Sequence, residues 1–317
     1  MIILDNKKYQ GVLIACVFFL LLSACQFPLP SQPTLPAPVI QATLIPSKEP
    51  LLPEPTLPLP TSHVHSSPIL IFVGNGYNSR GMTLLGGSLE ETWLIPEEVS
   101  PYLKIDNEIN YYSLDGTHGS TLLITYSEDT GPAVNCTHSR YWVETSSDLL
   151  PFSFGLNSSE GISNLRNIEF LSPQNETYHQ LVETYLLEQG IETPSVQVKR
   201  ILRVDLDNDG TDEVLIEASH FIEKTGHSVS PGDYSFILMR KVSENNVITQ
   251  RVVGEIYYED VVSKLPHTYF LQAIADINGN GQMEVLVGVS RWEGNGAILY
   301  ELNDTQLEEV LRMICSL

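Results

Sequence analysis

Between residues 69 and 171 apolar and polar residues alternate in short runs. "ILIFV" (Ile69–Val73), "TLLITY" (Thr121–Tyr126) and "RYWVET" (Arg140–Thr145) are rich in β-branched and aromatic residues and are bounded by Gly and Asn clusters, so each reads as a strand. Pro96–Leu103 reads as a short helical turn. In "SPQNETYHQLVETYLLEQGIETP" the period changes. Tyr178, Leu181, Val182, Tyr185 and Leu186 recur at i, i+3, i+4, i+7 and i+8, which predicts one amphipathic helix over about 174–189. Ser172 before Pro173 suits its start, Gly190 its end, and Pro194 blocks continuation.

Downstream the strand pattern returns twice. The first unit has strands at Val196–Val204, Val214–Ala218, Tyr234–Lys241 and Val247–Ile256; the second has them at Tyr269–Ala275, Val285–Val289, Ala297–Leu302 and Leu307–Ile314. In each unit an acidic loop separates the first two strands. The loops begin at Asp205 and Asp276, a period of 71 residues. Strand–loop–strand–strand–strand is the content of a four-stranded propeller blade. The expected fold is mainly β, with propeller-like blades forming an incomplete or small propeller and a β-rich segment over 69–171 in front of them.

The acidic loops are "DLDNDGTDEV" and "DINGNGQMEV". Positions 1, 3 and 5 are Asp205, Asp207 and Asp209 in loop 1, and Asp276, Asn278 and Asn280 in loop 2. Position 6 is Gly210 and Gly281, position 7 Thr211 and Gln282, position 9 Glu213 and Glu284. Ca²⁺ takes roughly 6–8 hard oxygens at about 2.3–2.6 Å. Short oxygen-bearing side chains at 1, 3 and 5 of a tight loop converge on one point, and glycine at 6 permits the turn. A carbonyl at 7 and a carboxylate at 9 complete the shell. Apolar residues at 2 and 10 are expected to anchor the loop in the core. Loop 1 carries four carboxylates at positions 1, 3, 5 and 9 and loop 2 carries two, so loop 1 is expected to bind Ca²⁺ more tightly. The competing reading is an ion-free loop closed by Asx turns.

Position 12 is Ile216 and Val287, and the flanks are strands, so neither loop is an EF-hand. The loops resemble the FG-GAP or VCBS repeat, the calcium-loop blade also found in integrin α-subunit propellers. "PGDYSFILMRKV" and "WEGNGAILYEL" are similar to bacterial lipoproteins with VCBS repeats. The resemblance covers about 196–317 and implies a calcium-binding, blade-forming domain there.

The chain opens with Lys7 and Lys8, an unbroken apolar run Val12–Leu22, and Leu22-Ser23-Ala24-Cys25. The apolar run is too short to span a bilayer, which takes about 20 residues. Its end matches the bacterial lipobox. That resemblance implies a signal peptide over 1–24, lipidation of Cys25, and anchoring to the extracytoplasmic face of a membrane. Residues 25–68 follow as a proline-rich, extended tether that contains His63 and His65.

The 317 residues carry 17 Lys and Arg against 39 Asp and Glu, a net charge of −22, which repels nucleic acid. Of the four cysteines, Cys16 falls in the signal segment and Cys25 in the lipobox, leaving Cys136 and Cys315 as a candidate disulfide in an exported protein. Asn135, Asn157, Asn175 and Asn303 open N-x-S/T triplets and read as polar loop residues in a bacterial chain. Beyond residue 68 no H-E-x-x-H, G-x-S-x-G or G-x-x-x-x-G-K-[ST] occurs. "GNGYNSRG" at 74–81 reads as a loop. His118, His138, His220, His227 and His267 are scattered without sequence partners. The expected role is therefore a membrane-anchored binding, adhesion or scaffold module for a protein or glycan ligand, and not an enzyme. The alternative is an extracytoplasmic hydrolase acting on glycan or peptide with calcium as a structural ion. Trp93, Trp142 and Trp292 are candidate rim aromatics for the first reading and core residues otherwise.

Overall fold

The computed structural model describes residues 67–74, 78–129, 135–158, 166–222, 228–243, 246–262, 264, 266–291 and 294–316. The signal segment, Cys25, nearly all of the tether, His227 and Trp292 lie outside them. The fold is mainly β.

The N-terminal part contains β1 (Ile69–Gly74), β2 (Gly81–Leu89), β3 (Thr92–Leu94), α1 (Pro96–Val99), a 3-10 turn (Ser100–Tyr102), β4 (Glu108–Tyr112), β5 (His118–Asp129), β6 (Asn135–Cys136), β7 (Arg140–Thr145) and β8 (Phe154–Leu156). Six of these strands pair antiparallel in the order β1-β8-β4-β5-β7-β2, and β1 also pairs with β2. The ring is a closed barrel, and closure removes the free edges that an open sheet would expose. Leu70, Phe72, Met82, Leu84, Ile109, Leu123 and Val143 fill its interior. Alternate residues Ile69, Ile71 and Val73 point outward, yet they are buried too, because a second sheet covers that side.

The C-terminal part begins with β9 (Glu169–Leu171) and α2 (Glu176–Glu188). Asn175, rather than Ser172, caps the helix: its side chain accepts the Thr177 N–H. The predicted stripe of Tyr178, Leu181, Val182, Tyr185 and Leu186 faces one core cluster. Gly190 follows at φ +90°, the left-handed conformation that ends a helix at little cost to glycine.

Two four-stranded antiparallel meanders come next. The first contains β10 (Val198–Val204), β11 (Glu213–His220), β13 (Tyr234–Ser243) and β14 (Asn246–Ile256), with β9 added beside β10. The short β12 (Ser228–Val229) pairs with β15 (Val261–Val262). The second meander contains β16 (Thr268–Ala275), β17 (Glu284–Arg291), β18 (Gly294–Asn303) and β19 (Gln306–Ser316), with β6 beside β19. Cys136 and Cys315 face each other across β6 and β19 and are joined by a disulfide.

The parts stack in four layers. Helix α2 covers the outer face of the first meander through Val182, Leu186, Ile216, Tyr234 and Phe236. The inner face of that meander meets the second one through Leu202, Leu215, Ile237, Val287 and Ile298. The far face of the second meander packs on the barrel through Leu286, Leu299, Ile71 and Phe154. A complete small propeller is therefore not what forms. The helix occupies the side where a preceding blade would lie, and the barrel occupies the side of a following one. Both supply the apolar surface that a neighbouring blade would otherwise bury.

One link between the meanders is polar. β16 is the edge strand of its sheet, with a bulge between Leu271 and Ala273. Glu217 of β11 accepts the Leu271 N–H at 3.0 Å, and Arg200 of β10 donates to the Leu271 carbonyl at 2.6 Å. These groups face the free edge of β16 and are satisfied from the neighbouring sheet, as is the Tyr269 N–H, which donates to Ser235 Oγ at 2.9 Å.

Candidate metal centre

Both acidic loops lie at the same end of adjacent meanders. Loop 1 joins β10 to β11 and loop 2 joins β16 to β17. They touch: the Met283 N–H donates to the Leu206 carbonyl at 2.7 Å. Arg166, just before β9, donates to the carbonyls of Asp205 in loop 1 and Gly281 in loop 2. Nothing in the sequence around Arg166 signals this role, because the two carbonyls are 39 and 115 residues away.

The local turns are alike. Position 1 accepts from the position-6 N–H at 3.1 Å in both loops, Asp205 from Gly210 and Asp276 from Gly281. Position 5 accepts from the position-7 N–H at 2.7 Å in both, Asp209 from Thr211 and Asn280 from Gln282. Gly210 and Gly281 have φ of +85° and +86°, where any Cβ is strained. Position 4 is left-handed as well, at Asn208 and Gly279. Asn and Gly are the residues that tolerate this conformation, so the pattern "xNDG/xGNG" carried a second turn signal that the glycine at position 6 overshadowed.

The expectation for position 9 changes. Glu213 accepts the Leu206 N–H at 2.8 Å, and Glu284 accepts the Ile277 N–H at 2.6 Å. One carboxylate oxygen therefore staples the loop to its own position 2, and only the other is left for a cation. Leu206, Ile277 and Val285 are buried as expected, and Val214 is half-buried.

Asp205, Asp207 and Asp209 bring one carboxylate oxygen each within 4.8 Å of one another, a grouping able to hold a metal ion. The Oδ1 atoms of Asp205 and Asp207 are shielded from solvent and accept no hydrogen bond, although Arg166 Nη1 lies 3.5 Å from Asp205 Oδ1; a hard cation is able to bond both oxygens. A second positive group is already present. Lys241 of β13 places Nζ 2.7 Å from Asp207 Oδ2 and 2.8 Å from Glu213 Oε1. Burial works against its charge, but the hydrogen bonds it donates to Asp207 and Glu213 outweigh burial and hold its pKa above that of an ordinary lysine. Burial pushes the Glu213 carboxyl up, and Lys241 pulls against that shift. The Thr211 N–H is the main cause that lowers the exposed Asp209 carboxyl.

Loop 2 is built with reversed polarity. Asn278 and Asn280 turn Nδ2 toward Glu301 Oε1 of β18, at 3.3 and 3.2 Å. Trp93 of β3 donates to Glu301 Oε2 at 3.1 Å, so the indole serves as a link between barrel and loop rather than as a free rim aromatic. Glu284 is 1% exposed and its Oε1 accepts no hydrogen bond. Burial drives its carboxyl well above the usual range; the Ile277 N–H opposes this, and Asp276 and Glu301 add to it.

Away from the loops, the structure gives His267 partners that the sequence did not reveal. Its Nδ1 lies 3.1 Å from Glu255 Oε1, and its Nε2 faces Arg291 at 3.5 Å. The Tyr257 hydroxyl donates to the second oxygen of Glu255. Trp142 is half-buried under Arg140, whose guanidinium lies 5.3 Å from the ring centre.

No described helix is long and apolar enough to cross a membrane. No family model matches the chain, and no curated protein or solved structure matches it either.

Proposed function

We propose that the chain is a bacterial lipoprotein, held by lipid on Cys25 to the extracytoplasmic face of the envelope, whose folded domain is a calcium-stabilised binding or scaffold module. In this reading the two meanders are blades of the FG-GAP or VCBS kind. The observation that carries it is the convergence of the Asp205, Asp207 and Asp209 carboxylates within 4.8 Å, in a loop whose turn geometry recurs one blade later.

The donor set suits Ca²⁺: hard carboxylate oxygens on a tight loop, two of them shielded and without hydrogen bonds. Calcium bound there would add oxygen bonds across the end of the first blade and stabilise the domain by mass action. The proline-rich segment supplies reach between lipid and domain. A protein or glycan ligand fits a module of this kind, and the net charge of −22 disfavours nucleic acid.

Calcium titration followed by melting temperature tests the reading. A rise in the wild type that is lost in Asp205→Ala supports it. No rise in the wild type, or the same rise in Asp205→Ala, overturns it.

A further inference from the structure

Loop 1 already holds a cation. Lys241 Nζ lies 2.7 Å from Asp207, 2.8 Å from Glu213 and 3.7 Å from Asp209, and its side chain is only 7% exposed. Three of the four carboxylates expected to surround a metal surround this ammonium.

The strand partner of each loop is fixed by register. Val214 pairs with Arg240 in the first blade, and the corresponding Val285 pairs with Tyr300 in the second. The next residues, Lys241 and Glu301, are therefore equivalent positions with opposite charge. The loops differ to match. Where the strand offers an ammonium, positions 3 and 5 are Asp207 and Asp209. Where it offers a carboxylate, they are Asn278 and Asn280, which donate to it. Counting positions 1, 3, 5 and 9, loop 1 with Lys241 has four carboxylates and one ammonium, and loop 2 with Glu301 has three carboxylates; Asp212, the fifth acid of loop 1, pairs with Arg203 instead. The formal charge is three negative in both. The charge of the cluster is preserved while its polarity is inverted.

We propose that Lys241 is a tethered cation that fills loop 1 in place of a metal and sets the threshold at which a divalent ion enters. A divalent ion bonded to Asp207 and Asp209 would lie within a few ångström of Nζ, and two cations at that distance repel strongly. Entry requires the ammonium to leave. A cavity of about 280 Å³ opens beside it, lined by Lys241, Asp207, Asp209 and, on the facing turn, Asp304. The flexible lysine stem can swing into that space, and Asp304 offers the displaced charge a new partner.

The identity of the ion rests on the calcium reading above, but the occupancy of the loop by Lys241 does not. The test compares the full chain as wild type, Lys241→Met and Lys241→Arg. Each is titrated with CaCl₂ by calorimetry and melted in EDTA and in Ca²⁺. Lys241→Met should melt lower in EDTA, recover in Ca²⁺, and bind Ca²⁺ at least tenfold more tightly than wild type. Lys241→Arg, which keeps the charge, should stay close to wild type. A Lys241→Met chain that binds no more tightly, or melts as the wild type does in EDTA, overturns the proposal. Calcium binding by Lys241→Met alone supports the proposal and removes the calcium reading of the native chain. Equal binding by both does the reverse. If Lys241→Met does not fold, the triple variant D207N/D209N/K241E rebuilds loop 2 chemistry in loop 1. It should fold and melt near the wild type in EDTA, and its failure to fold overturns the proposal.

Discussion

Lys241 and Glu301 occupy the same register position on β13 and β18, one step beyond paired residues Val214–Arg240 and Val285–Tyr300, and each contacts the acidic loop of its own sheet with opposite charge. The two loops therefore share a backbone but solve the same electrostatic problem in opposite ways. Loop 1 places an ammonium among carboxylates; loop 2 places a carboxylate among amide donors.

Glu301 accepts hydrogen bonds from Asn278, Asn280 and Trp93. Glu301→Gln replaces one acceptor oxygen with an NH₂ that faces donors. A loss of about 1–2 kcal/mol is expected, read as a lower denaturant midpoint. A change in Trp93 emission should accompany it, because the indole N–H loses or weakens its partner.

Glu217 is the acceptor for the Leu271 N–H on the free edge of β16. Glu217→Ala leaves that amide buried and Arg200 without its carboxylate, which lies 3.7 Å away. The expected cost is about 2–3 kcal/mol in urea unfolding. Lys199→Ala, on an exposed side chain of β10 beside Arg200, should change stability by less than about 0.5 kcal/mol.

The Cys136–Cys315 bridge spans 179 residues of sequence and fastens β6 to the last strand. Cys136→Ser with Cys315→Ser, or reduction of the wild type, should remove about 2–5 kcal/mol. Melting with and without dithiothreitol checks this, and the double variant should be insensitive to the reductant.

The hydrogen bond from His267 is the main cause that holds the Glu255 carboxyl below its usual range; burial opposes it, and the Tyr257 hydroxyl assists. A depressed folded pKa means the folded state binds the proton less readily than the unfolded chain. The stability this contributes is present above the ordinary glutamate range and is lost as pH falls through the folded pKa. His267→Ala should shift the acid-unfolding midpoint to higher pH. An unchanged midpoint would show that the pair does not contribute.

Periodicity carried much of this fold into view. The stripe from Tyr178 to Leu186 predicts α2 because residues at that spacing share one helical face. The eight strands of the two meanders are legible because each exposes one alternating register or one apolar run between turn residues. The acidic spacing at 205–213 and 276–284 marks both loops because short side chains and left-handed glycines are local requirements. The barrel was less visible. β2 reads "GMTLLGGSL", whose glycines depress strand propensity, and β8 is three residues long. In the folded chain, Gly87 passes so close to the Ile69 carbonyl that a Cβ there would come within 2.5 Å of it. That requirement comes from a neighbouring strand and leaves no local pattern.

The same division separates the loop from its partner. Local spacing identifies the carboxylates of loop 1, but Lys241 is 28 residues from Glu213 and Glu301 is 23 residues from Asn278. Which side chain faces a loop depends on strand register, and a one-residue slip would turn Lys241 to the opposite face of the sheet. Composition and spacing name the anions. Only the pairing of β11 with β13, and of β17 with β18, decides what charge stands among them.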